Sequence, residues 1–163
     1  MDVNYCKLGA LTMRYLIAFL LVLASAPCWS GVLQDSARET LMNDALSRFW
    51  GRAKLSDGTF VQPENEQERK TLPISNKVAN QVLDVGEISG YAEWCGLDWR
   101  SQFLAMTAAA RRGGFKEKQV AFIGVLHGTA QGVIAEAMKS RPCGATDRAK
   151  ILEMMKRSPN KSF

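Results

Sequence analysis

A single histidine, His127, is all the imidazole this chain possesses, and its 163 residues hold only four cysteines. Zinc sites draw on several His or Cys ligands at characteristic spacings. A site built from Cys95, Cys143 and His127 would lack both a C-x-x-C pair and a second imidazole, so no metal and no cofactor are expected. Other signatures are missing too. There is no G-x-S-x-G elbow, no H-E-x-x-H pair, no phosphate-binding glycine loop and no dinucleotide fingerprint. Strand patterning is also poor, because no sustained alternation of apolar and polar residues occurs. With 47% hydrophobic and 23% charged residues the balance is that of one ordinary globular domain.

The longest unbroken apolar run lies near the start, Leu16 to Ala24, behind Arg14 and ahead of the small residues Ser25 and Ala26. A basic flank, an apolar stretch shorter than the roughly 20 residues of a membrane span, and a small-residue zone make a secretory signal peptide. Residues 1–30 are therefore expected to be a cleaved leader, and residues 31–163 a single α-helical domain. Pro27 directly before Cys28 speaks against lipidation there, and translation starting at Met13 would leave the reading unchanged. The protein is expected in the periplasm or secreted, away from nucleic acid, and not integral to the membrane once cleaved.

Removing the leader removes Cys6 and Cys28. Two thiols in an exported chain, Cys95 and Cys143, invite a disulfide. Closing the loop between them is worth about 4 kcal/mol in the chain-entropy picture.

Helical periodicity then dominates. Ser36 to Glu39 reads as a capping box, followed by the stripe Leu41, Met42, Ala45, Leu46, Phe49, Trp50 and Ala53, which predicts a first helix ending near Lys54. Residues 56–74, with Asp57-Gly58, Pro63, clustered Glu and Gln, and Pro73, read as a long polar loop suited to mobility or partner contact. Ser75 caps a second helix reaching Trp94, and Asp98 is expected to cap a third that stops at Gly113-Gly114. A fourth spans about Lys116 to Lys139, halted by Arg141-Pro142. A fifth follows Thr146 or Asp147, ahead of a frayed basic tail. The expected fold is thus all-α, a bundle of four to five helices stapled by Cys95 and Cys143.

The fourth helix is the unusual one. Gly124, Gly128 and Gly132 recur every four residues, with Ala121 and Ala135 extending the strip along one side. Each interior glycine costs about 1 kcal/mol relative to alanine. The expected return is close approach of another helix; if nothing covers the strip, it is a binding groove or a subunit interface. His127 lies between Val120, Ile123 and Ile134 on the wheel. Its ordinary reading is a buried histidine satisfied by Gln131 or a carbonyl; the sharper ones are a ligand contact beside the groove, or the base of a small hydrolase. Tyr91 to Trp99 gathers three aromatics around Cys95, either shielding a disulfide or forming a recognition surface through Trp94, Asp98 and Trp99.

Charge divides unevenly. Residues 31–98 carry seven basic and eleven acidic side chains, residues 99–163 twelve basic and four acidic. The basic half is either a set of solvated helix faces or a surface for anionic lipid or cell-wall polymer. From Trp94 onward the layout is similar to that of periplasmic acid-stress chaperones and to the immunity proteins that neutralise type VI secretion amidases. No motif carries either likeness, and no residue roles follow from them. The function expected is non-enzymatic binding of another envelope or secreted protein, as a chaperone or inhibitor. The alternatives are a hydrolase using His127 and a binder of anionic surfaces.

Overall fold

Residues 33–160 and 162–163 are described in the computed structural model, so the expected leader, with Cys6 and Cys28, lies outside the described residues. Helices α1 (Asp35–Phe49), α2 (Glu66–Arg69), α3 (Asn76–Trp94), α4 (Arg100–Arg112), α5 (Glu117–Met138) and α6 (Ala145–Arg157) follow in order. That is five long helices and one short turn of helix, with no β-strand among the described residues.

α1 ends five residues before the expected Lys54. Gly51 takes φ +72, a left-handed conformation that glycine adopts without a steric penalty, and turns the chain so that Lys54 pairs with Phe60. The amide of Gly51 donates to the Val61 carbonyl at 2.8 Å, and that of Val61 to Ala53 at 2.9 Å. The Ser36 capping box does not form either, because the helix starts two residues earlier, with Gln34 at the N-cap.

Residues 56–74 are held more firmly than their polarity predicts. Val61 is buried in the core. The Trp50 indole donates to the Arg69 carbonyl at 3.0 Å, Gln119 donates to the Pro73 carbonyl at 2.9 Å, and Lys118 bonds Glu68 at 2.7 Å. Val61 and Ile74 in the core, Leu72 packed against it and three long-range polar ties turn a sequence-polar loop into a packed strap.

The remaining ends follow their caps. Ser75 Oγ accepts from the Val78 amide at the start of α3. Asp98 accepts from the Arg100 amide at 3.2 Å but sits one residue outside the N-cap, which is Trp99. Gly114, at φ +79, closes α4. In α6 the Asp147 carboxylate reaches back to the Gly144 amide at 3.1 Å, capping from inside the first turn. The tail is not frayed: Asn160 is buried and donates to Gln102 at 2.6 Å, and Phe163 packs on Phe115.

α5 lies at the centre, against α3 above all and also against α1 and α4, while α6 packs on α3. It is the one helix among the described residues long and apolar enough to cross a bilayer by length and composition. Eight of its residues, among them Phe122, Ile123, Leu126 and Ile134, are buried in the bundle. The main core joins Phe49, Val61, Val82, Leu83, Met106, Phe122 and Leu126, and a smaller one joins Ala92, Cys95 and Ile151.

Candidate functional site

The closest helix contact is made by glycines of α3, not by those of α5. A β-carbon placed on Gly86 would fall 2.7 Å from the Ala130 Cβ and 2.8 Å from the His127 carbonyl oxygen; on Gly90 it would fall 2.6 Å from the Ile134 Cβ and 2.7 Å from the Gln131 carbonyl oxygen. These distances are too short for any side chain, so α3 presses its backbone onto the α5 face that carries Ala130 and Ile134. The expectation that Gly124, Gly128 and Gly132 serve helix packing is corrected accordingly. Gly124 is met only by the Phe103 ring at 3.7 Å, and nothing described lies within 4 Å of a β-carbon at Gly128 or Gly132. In this seam the smooth side is supplied by α3.

The α5 strip is consequently open over its C-terminal half. Gly128, Gly132, Glu136 and Ala137 are exposed, and Val133 shows 46% of its surface. A concavity of about 520 Å3 between α1 and α5 is lined by Asp44, Arg48, Thr129 and Val133 with both glycines. A second, of about 480 Å3 between α3 and α5, is lined by Glu93, Trp94, Ala135 and Lys139. Gly132 belongs to both, since a residue without a side chain raises no ridge between them. Ion pairs border the apolar floor, Asp44 with Arg48 at 2.6 Å and Glu136 with Lys139 at 2.5 Å.

The residues expected at a site separate into three places. Trp94 stands at the groove, its indole donating to the Arg141 carbonyl at 2.7 Å while the Arg141 guanidinium covers the ring. Asp98 is exposed at the start of α4, and Trp99, half-buried beside it, faces inward toward His127 with ring centroids 6.5 Å apart. His127 and Gln131 are inside the α3–α5 seam.

His127 is 1% exposed. Its Nε2 lies 2.9 Å from Ser89 Oγ, itself fully buried, and Phe103 covers its ring at 5.2 Å. Burial alone pushes its pKa down from 6.5 to about 4, so the ring is neutral at ordinary pH. The expected partner Gln131 is instead taken by Glu93, donating to its carboxylate at 2.7 Å. A Ser–His contact is the beginning of a nucleophile and base. This one has no opening to solvent, and a substrate carbonyl cannot reach it, so the reading of His127 as a hydrolase base is withdrawn. Ser89 gave no local signal, being 38 positions from its partner. Gly86 and Gly90, four apart, did carry the same spacing signal that drew attention to α5.

Cys95 and Cys143 come together as a disulfide, with Cα atoms 5.3 Å apart, and tie the end of α3 to the segment entering α6. Arg148 adds a bond to the Cys95 carbonyl at 3.0 Å. Tyr91, Trp94, Leu97 and Trp99 pack around this cluster, the arrangement expected of aromatics sheltering a cross-link. Among the described residues no three metal-ligating side chains converge. No protein-family model, curated protein or solved structure matches the chain, so its geometry alone carries the functional reading.

Proposed function

We propose that the chain is an exported, non-enzymatic interaction protein whose partner, another envelope or secreted protein, docks along the open C-terminal half of α5. The observation that supports this is the uncovered glycine strip. Gly128 and Gly132 weaken the helix without bringing any described element close. They leave instead a smooth floor with Val133 exposed, bordered by paired charges. Apolar floors with polar rims are the anatomy of protein interfaces. A helix laid across Gly128 and Gly132 could approach α5 as closely as α3 does at Gly86 and Gly90. The leader pattern and the Cys95–Cys143 bond favour an oxidising, exported setting.

A photo-crosslinking side chain placed at Val133 tests the reading, with Thr40 on the exposed side of α1 as control. One discrete crosslinked protein from Val133 and none from Thr40 is expected in the exporting cell. Equal labelling at both positions, or none at either, would contradict it. A product of twice the chain's own mass would identify the partner as a second copy and refute a different partner protein.

A further inference from the structure

α4 presents a basic face that also exposes a large apolar side chain. No Asp or Glu occurs between Trp99 and Lys116, whereas Arg100, Arg111, Arg112 and Lys116 do. Gln102, Met106, Thr107, Ala109 and Ala110 bury one side of the helix. At 100° per residue, Arg100, Arg111, Leu104 and Arg112 follow one another across about 120° of the exposed side, from the edge beside buried Thr107 round to Arg112, with Leu104 between two arginines. Leu104 is 62% exposed, the most exposed of the large apolar side chains described. The cations elsewhere are mostly paired: Arg38, Arg48, Lys118, Lys139, Arg141 and Arg157 each meet a carboxylate. Arg100, Arg111, Arg112 and Lys116 have no acidic partner among the described residues, and Arg100 rests on the Trp99 ring at 5.9 Å.

We infer that this face of α4 docks on an anionic lipid surface, the arginines meeting headgroup phosphates and Leu104 entering the boundary between headgroups and acyl chains. A soluble polyanion would be satisfied by the cations alone. A leucine held in water at the middle of a cationic arc gains only where an apolar layer lies beneath the charge. The inference goes beyond the docking of a protein on α5, which involves a different helix, and neither result below bears on that groove.

The strength is modest and calculable. A basic residue near an anionic membrane contributes about fivefold in partitioning, and the attraction decays within about 8 Å at physiological salt. The test is co-sedimentation of the full chain with vesicles of phosphatidylcholine alone, or of phosphatidylcholine mixed with phosphatidylglycerol. Binding is expected only to the anionic vesicles and is lost at high salt. Charge reversal in Arg111→Glu/Arg112→Glu should weaken it by at least about 25-fold, two residues at about fivefold each. Leu104→Ser should weaken vesicle binding while leaving binding to soluble dextran sulfate unchanged. All three positions are exposed, so unchanged melting verifies that the variants fold. Attachment through the apolar run at residues 16–24 would be indifferent both to lipid charge and to α4 substitutions. Equal binding to the two vesicle types, or binding that survives the double reversal, overturns the proposal. Capture by dextran sulfate without capture by anionic vesicles overturns it in favour of a polymer.

Discussion

Gly86 and Gly128 are the same residue in the same kind of helix, yet a methyl group has opposite consequences at the two. Gly86→Ala forces a β-carbon into the α5 backbone, and overpacking of this kind costs about 1 to 3 kcal/mol. Gly128→Ala meets nothing described and should recover up to about 1 kcal/mol of helix propensity. Paired chemical denaturations check both signs; destabilisation by Gly128→Ala would contradict an open strip at that position. His127 supplies a second prediction at this scale. Because its folded pKa is depressed, the unfolded chain takes up a proton below pH 6.5 that the folded chain refuses until about pH 4. Stability should therefore fall by about 3 kcal/mol across that window and level off beneath it. Urea titrations at pH 7 and 4.5 should show a smaller loss in His127→Gln than in the parent, and equal losses would contradict the burial. The burial of this ring was legible from its apolar neighbours on the wheel. Its partner was not, since Ser89 meets it only through tertiary packing.

Among the elements, α6 depends most on its cross-link. Ile151 is its only fully buried apolar side chain, and the core beneath it is small. Reduction of the Cys95–Cys143 bond, worth about 4 kcal/mol, should loosen α6 well before α3 or α5. Hydrogen exchange after reduction should show amides of α6 accelerating while those of α5 stay protected; uniform acceleration would mean that the helices unfold as one unit. The boundaries of α3, α4 and α5 were readable because Ser75, Gly113-Gly114 and the Lys139-to-Pro142 stretch act locally, through a hydroxyl cap, a left-handed turn and a missing amide. The end of α1 was not, because the apolar spacing of Phe49, Trp50 and Ala53 continues past the point where Gly51 turns the chain. The strap over residues 56–74 was missed for a related reason: its buried anchors, Val61 and Ile74, lie thirteen positions apart toward its two ends, and two such isolated side chains make no periodic pattern.

Across the whole molecule, the composition pointed to a binding protein with little catalytic equipment, and the fold sharpens where binding is proposed. The most apolar helix is wrapped on the α3 side and left open over Gly128, Gly132 and Val133. Glycine spacing in the sequence marked the α5 strip but assigned it to packing, and passed over Gly86 and Gly90, which are the ones used inside the protein. That choice depends on the backbone each strip faces, which only the assembled bundle determines. The strip left over is the basis for the function proposed, and filling it separates stability from binding. Gly132→Trp places an indole in space that is open among the described residues and should leave the melting temperature within a few degrees of the parent. The same substitution should abolish the crosslinked complex formed from Val133. A folded Gly132→Trp protein that still crosslinks at the parental yield would contradict the account.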